Sequence, residues 1–390
     1  MIQEKLKVAI ITNYPSPYRI PVFEKLSHIF DLTVYFTHME FEGDKPKIKD
    51  KMRNWDLKSQ YNFKHKFLKG KTISFQKKME YDVNFSIVKE LDKGYDAVII
   101  GGYNTFTTQL ALVLCKIKKI PVILWSGNTL HKNEYNLFRR LSTPIMSFLI
   151  KKTDGFIVYG TRAKEYIESF GISPEKISIA INVGDINFFM SENDRIQSQK
   201  EALKEHFQIE TEYNIIFVGS FVYGKGITYL IDAFGKFNPK NVGLILIGGG
   251  GPLNDEITAK IQETDNVYFM GHIDPLELPK FYAIADLFIV PSSLDRFSIV
   301  MSEAMASGLA VISTPANGAS CDLIKDDYNG YVIPEESSEA IESVFRKIFE
   351  NPEKLEKMGE NSKKCIKEVN NTDKTVEGFV NAVNYVVNLK

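Results

Sequence analysis

Short apolar runs recur along the chain and alternate with segments whose apolar residues return every three or four positions. In the first half the runs are KVAIITN (7–13), DLTVYFTH (31–38), DAVIIGG (96–102), PVILWSG (121–127), GFIVYGT (155–161) and KISIAIN (176–182). Most are apolar without alternation, as strands covered on both faces require. Helical patterns such as TTQLALVLCKIKK (107–119) and RAKEYIESFG (162–171) lie between them. Strand and helix in alternation predict a parallel sheet with crossover helices. Residues 190–213, MSENDRIQSQKEALKEHFQIETEY, are polar and charged and read as an inter-domain connection. The rhythm then restarts with NIIFVGS (214–220), VGLILIGGGG (242–251), NVYFMG (266–271), DLFIVPSS (286–293), LAVISTP (309–315) and GYVIPEE (330–336).

The expectation is an α/β protein of two tandem Rossmann-like, doubly wound domains facing across a cleft. Residues 1–190 form the first domain and 191–370 the second. The last stretch (371–390) is an amphipathic helix, followed by no strand, that packs back on the first domain. Such sheets take ligands beyond the carboxyl ends of their strands, so the loops there carry the candidate chemistry.

Composition changes this picture little. With 390 residues, 44% hydrophobic and 25% charged, the chain reads as an ordinary globular protein. No apolar run approaches the ~20 residues that span a bilayer, and MIQEKLKVAIITN reads as a first strand rather than a signal peptide. Three scattered cysteines suggest neither a disulfide framework nor a zinc site and suit a cytoplasmic location.

Charge is more informative. Residues 1–190 hold 29 Lys+Arg against 19 Asp+Glu, while the remainder holds 19 against 30. Much of the positive excess lies in 41–80. A basic half invites an anionic partner, although a lysine-rich solvated surface has the same composition. Residues 136–154, NLFRRLSTPIMSFLIKKTD, are apolar and basic together. They suit either an anionic membrane surface or a crossover helix interrupted by Pro144. No recognisable module supports nucleic-acid binding.

Four loops of the second half stand out. VGSFVYGKG (218–226) sets Lys225, a point charge suited to phosphate, between glycines. IGGGGP (247–252) is either a packing turn or an anion-binding helix start. PSSLDRFSIVMSEAMASG (291–308) carries Asp295 and Arg296 before a helix, Ser298 at its N-cap and Glu303 among small residues. TPANGASCDLI (314–324) is the fourth.

The block 271–333, together with 217–234 (FVGSFVYGKGITYLIDAF), 181–189 (INVGDINFF) and 351–364 (NPEKLEKMGENSKK), resembles the nucleotide-sugar-binding half of retaining GT-B glycosyltransferases of family 4. The likeness runs from about 180 to 365 and is weaker before that. NYPSPYRIPVFEKL (13–26) is similar to one branch of the family.

The resemblance implies a metal-independent retaining transfer from a nucleotide-diphosphate sugar, UDP- or GDP-linked, with no other cofactor. The acceptor would be a glycan or lipid-linked hydroxyl of a glycolipid or envelope polysaccharide. The enzyme would be cytoplasmic and peripheral on the inner face of the membrane. Glu303 would hold the ribose hydroxyls and Asp295 the donor sugar. Gly219, Ser220, Lys225, Arg296, Phe297, Ser298 and Ile299 would line the donor site, with Lys225, Asp295 and His131 catalytic. On the acceptor or phosphate side stand Pro17, Tyr18, Arg19 and Asn104, with His131 near the transferred sugar.

The sequence departs from the family at Asp295 (usually Glu), Arg296 and Ser298 (usually Gly) and, most consequentially, Ser220, where the family has a phosphate-binding Arg. Arg296 or Arg19 is the expected replacement charge. The departures also admit a non-catalytic nucleotide-sugar-binding or scaffold homologue, and the fold admits a sugar-nucleotide epimerase.

Overall fold

The computed structural model describes residues 4–42, 45–48, 61–75, 79–103, 105–130, 147–182, 184–369 and 371–389. The chain divides into two compact units, 1–181 with 372–390, and 182–371.

The first unit is built on a seven-stranded parallel sheet ordered Ile177–Ile179, Gly155–Val158, Val122–Ser126, Ala97–Gly101, Lys7–Thr12, Asp31–Phe36 and Lys64–Phe67. Val8, Ile10, Val98, Ile123 and Ile157 are fully buried, which explains the unalternating apolar runs. The chain starts mid-sheet and winds outward both ways. The strands on either side of the reversal are Lys7–Thr12 and Ala97–Gly101, and a topological switch point lies beyond their carboxyl ends.

The basic stretch contains structure that its composition conceals. KHKF (64–67) is the edge strand, with the Phe67 ring stacked on Phe36 at 5.4 Å. Met39–Glu42 with Lys45–Ile48, and Lys71–Phe75 with Met79–Val83, form antiparallel pairs. Charged and polar residues interrupt each of these short strands, so none registers as an apolar run.

The final helix, Thr372–Asn388, belongs to the first unit. Phe379 meets Trp125 edge-on at 5.0 Å, and Thr375 Oγ1 donates to the Ile181 carbonyl at 2.8 Å. Gly378 makes the close approach possible, because a Cβ there would lie 2.3 Å from the Ile179 carbonyl oxygen.

The second unit has a six-stranded parallel sheet ordered Val267–Gly271, Val242–Gly248, Tyr213–Gly219, Leu287–Val290, Ala310–Ser313 and Gly330–Val332. Numbered within the unit, this is the 3-2-1-4-5-6 order of dinucleotide-binding folds, with its switch point between Tyr213–Gly219 and Leu287–Val290.

The expected connection at 190–213 is corrected by the structure. Its residues form helices Ile186–Ile196 and Lys200–His206 of the second unit, and the chain passes from one unit to the other at 181/182 and 371/372 instead. Ile186, Phe189, Asn193 and Ile196 recur at helical spacing and are buried. Phe189 packs edge-on to Tyr282, and Phe207 stacks on Phe281 at 4.4 Å. High charge on the outer faces hid this stripe.

Candidate functional site

Three loops leave neighbouring strands at the switch point of the second unit and are tied to one another. From Tyr213–Gly219 the chain passes through a single 3-10 turn, Tyr223–Lys225, into helix Ile227–Phe237. Gly226, at φ 69°, joins the two. A Cβ on Gly226 would fall 2.0 Å from the Pro291 carbonyl oxygen, so the position needs glycine for conformation and for space. Gly226→Ala is expected to cost about 2 kcal/mol or more. A lowered urea midpoint checks this, and an unchanged midpoint would contradict the close approach.

The second loop is seated on the first. The amides of Ser293 and Leu294 donate to the Gly224 carbonyl at 3.1 and 3.2 Å. It is also bridged to the third: Asp295 N donates to Ala316 O at 3.3 Å, and Gly318 N to Asp295 O at 3.0 Å. Asn317, fully buried, accepts from the amides of Ser298 (3.3 Å) and Ala319 (3.2 Å) and donates to Ser313 Oγ (3.0 Å). The result is one rigid rim built from 219–226, 291–298 and 314–319.

That rim brings Lys225 and Asp295 together. Lys225 Nζ lies 2.6 Å from Asp295 Oδ2, with side-chain exposures of 27% and 12%. The pair is shielded enough for its charges to matter and open enough for a ligand to compete for either partner.

Ser298 occupies the N-cap position of helix Ile299–Ala306 as expected, but its hydroxyl makes no cap. Its Oγ is buried with no hydrogen-bond partner. The first amides of this helix have no intrahelical acceptor either, so the helix start is a donor-rich, positively polarised end. Phe297 is buried beside it, while Arg296 is exposed, with no hydrogen bond or ion pair among the described residues.

Glu303 sits within the same helix, half-buried. Tyr282 Oη donates to its Oε2 at 3.4 Å. Burial pushes the Glu303 carboxyl up to about 7, only partly offset by the Tyr282 hydroxyl. Gly184 leaves room on the other side: a Cβ there would meet Ile299 Cγ2 at 3.2 Å and Glu303 Cγ at 3.6 Å. Tyr282, Gly184 and Asn317 were not singled out from sequence. Gly184 follows the quoted INV run, whereas the other two lie far in sequence from the side chains they support.

IGGGGP acts here as a packing turn. A Cβ on Gly248 would lie 2.2 Å from the Gly219 carbonyl oxygen, and the Gly249 amide donates to that oxygen at 3.2 Å. Gly219 and Ser220 thereby stand at the base of the Lys225 loop.

Of the expected residues of the first half, Pro17, Tyr18 and Arg19 stand at the first unit's switch point. Pro17–Arg19 is a 3-10 turn after Lys7–Thr12. Arg19 Nη1 donates to Thr12 Oγ1 at 3.1 Å and Nη2 to Tyr159 Oη at 2.9 Å, with the guanidinium 4.5 Å from the Trp125 ring centre. Its Nε is buried without a partner. This cation is held by neutral groups and an aromatic face, with no carboxylate among its described hydrogen-bond partners. Asn104 and His131, and most of 136–154, lie outside the described residues.

Residues 198–365 match the family model for glycosyl transferases group 1. The O-antigen chain mannosyltransferase C of Escherichia coli is 26% identical over 49% of each chain. The chain spans about half the length of the first curated relatives it matches. Among solved structures, Anabaena Alr3699/HepE in complex with UDP superposes with a TM-score of 0.74 at 16% identity, covering 97% of this chain and 100% of that one. WaaG, a glycosyltransferase involved in lipopolysaccharide biosynthesis, superposes with a TM-score of 0.67 at 18% identity, covering 97% and 99%. The two Rossmann-like units thus have the fold of the GT-B glycosyltransferases, and the stretch that matches the group 1 model contains the Lys225–Asp295 rim and Glu303.

Proposed function

We propose that the protein is a retaining, metal-independent glycosyltransferase of family 4. It would move a sugar from a nucleotide diphosphate to a hydroxyl of a lipid-linked or envelope glycan, at a membrane surface on the cytoplasmic side. The observation that carries this reading is the Lys225–Asp295 pair at the switch point, set beside an uncapped helix start and the half-buried Glu303. UDP in the HepE complex and the O-antigen relative support the donor and acceptor classes.

Each residue then has a task. Glu303, ionised, accepts from two ribose hydroxyls. The diphosphate takes Lys225 Nζ and the Ile299 amide at the helix start. Losing Lys225 to phosphate frees Asp295 to accept from a hydroxyl of the donor sugar. The acceptor oxygen attacks the anomeric carbon on the face the diphosphate leaves. The bond to the phosphate oxygen breaks with its electron pair, and the acceptor proton passes to that oxygen. Lys225 and the helix start stabilise the charge that develops there.

Ser220 supplies no cation where the family has Arg. Arg296, exposed on the second loop of the rim, and Arg19, held over Trp125 in the first unit, are the two candidate replacements. Arg19→Ala or Arg296→Ala, whichever arginine takes that place, is expected to lower kcat/KM by about tenfold to a hundredfold. If both variants turn over normally, neither arginine substitutes for the missing charge. The reading itself is tested by incubating UDP- and GDP-sugars with lipid-linked glycan acceptors and reading the product's anomeric configuration by NMR. Retention supports it; inversion, or sugar-nucleotide isomerisation without acceptor, opposes it.

A further inference from the structure

Four adjacent parallel strands of the first sheet, Gly155–Val158, Val122–Ser126, Ala97–Gly101 and Lys7–Thr12, end on the same side. Among the described residues of the loops that follow them (13–19, 102–103, 105, 127–130 and 159–160), Arg19 is the one charged side chain. Neutral hydrogen-bonding groups surround it. Asn128 Nδ2 donates to Tyr103 Oη at 2.6 Å, and Tyr103 Oη shares a hydrogen bond with Tyr166 Oη at 2.9 Å. The Tyr159 ring lies directly against Gly127, where a Cβ would fall 2.1 Å from its Cδ2. The reach of the Tyr159 hydroxyl to Arg19 therefore depends on a residue without a side chain. A Cβ on Gly102 would meet nothing within 4 Å, so space is open at the next loop.

The half-buried Arg19 guanidinium thus has its charge set among neutral partners, with no carboxylate among the described residues to balance it. Drawing a cation out of water without a counter-charge is costly, and an anion arriving there recovers that cost. Three buried polar atoms repeat the message: Arg19 Nε, Trp125 Nε1 and Ser16 Oγ have no hydrogen-bond partner. Arg19 Nε and Trp125 Nε1 can only donate. Ser16 stands on the same turn, its carbonyl accepting from the Arg19 amide at 2.9 Å. Donors without acceptors beside a cation without an anion call for a negatively charged, oxygen-rich group. One positive charge matches one carboxylate. A diphosphate, with two or more charges, calls for further cations, and the other described loop residues supply none.

We propose that the switch point of the first unit recognises an acidic sugar: the acceptor glycan presents a carboxylate to Arg19, and its hydroxyls meet the neutral groups around it. This rests on the reading of the protein as a glycosyltransferase whose first unit takes the acceptor. It leaves Arg296 as the replacement charge at the donor.

The test is calorimetric titration of the full chain with the methyl glycosides of glucuronic, galacturonic and mannuronic acid and of the matching neutral hexoses. At least one uronide is expected to bind about tenfold tighter, or more, than its neutral counterpart. Arg19→Gln is expected to abolish that preference, and Arg19→Lys to keep part of it, because lysine retains the charge and loses the planar fork. Tyr159→Phe removes only the hydroxyl that orients Nη2 and is expected to weaken uronide binding about threefold to tenfold, with the neutral hexosides unaffected. Unchanged melting curves confirm that the variants fold. Nucleotide-induced thermal shifts should be the same in all three variants as in wild type. Absence of any uronide preference in wild type, or a preference that Arg19→Gln leaves intact, would overturn the proposal. Inorganic pyrophosphate binding tighter than every uronide and lost in Arg19→Gln, or a nucleotide shift lost in that variant, would assign the arginine to a diphosphate instead. A uronide preference in a wild-type protein that no nucleotide stabilises would count against the donor site and not against this one.

Discussion

Lys225→Ala is expected to reduce kcat/KM for sugar transfer by about 10² to 10³, with most of the loss in kcat. The physical reason is that the leaving diphosphate gains charge as the glycosidic bond breaks. With serine at position 220, Lys225 is the cationic side chain on the loop that follows Tyr213–Gly219. An interaction that strengthens only as that charge develops lowers the barrier rather than KM. The same substitution also strands the Asp295 carboxylate, whose partner at 2.6 Å is gone. Lys225→Met combined with Asp295→Asn isolates that cost: it should recover stability lost in Lys225→Met without recovering turnover. A Lys225→Ala enzyme that loses only KM would place the lysine in ground-state binding.

Glu303→Ala is expected to weaken nucleotide binding about a hundredfold, the equivalent of roughly 3 kcal/mol for two hydrogen bonds to an ionised acceptor. Its titration adds a pH signature. The folded carboxyl is raised to about 7 by burial. Between the ordinary glutamate pKa and that value the folded state binds more protons than the unfolded one, so stability falls as pH rises through the window. The shift corresponds to at most about 3 kcal/mol above pH 7, less because the side chain is only half-buried. Glu303→Gln should therefore match wild type in urea midpoint near pH 4 and exceed it at pH 8. Ribose hydroxyls donate to the ionised form, so nucleotide affinity should rise from pH 6 to 8 with release of a proton. Calorimetry in buffers of different ionisation enthalpy reads that proton directly.

The parallel sheets were legible because their central strands are covered on both faces and need nearly unbroken apolar sequence. The edge strand KHKF was not, since a strand with one wet face reads as a charged loop, and the two antiparallel pairs were not, since polar and charged residues break up their short runs. Helix Ile186–Ile196 escaped for a related reason: its buried stripe is one residue in three or four, diluted by Glu192, Asp194 and Arg195. The site divides along the same line. Lys225 and Asp295 stand out as charged residues in glycine- or serine-rich loops after strands, and the structure pairs them. Their supports are silent in sequence because they act across the fold: Asn317 holds the loop at 295–298 from another strand's end, and Tyr282 reaches Glu303 from a separate helix. Ser298 shows the reverse, since a residue type suited to capping occupies the cap position and leaves its hydroxyl unpaired.

The most direct measurement is thermal shift of wild type and Glu303→Ala against UDP, GDP, ADP, CMP and dTDP. Stabilisation of wild type by one diphosphate, lost in the variant, is the predicted result; it would place the donor on the second unit's switch point and name its base. Absence of a shift with every nucleotide, or an equal shift in both proteins, would contradict a donor site at Glu303.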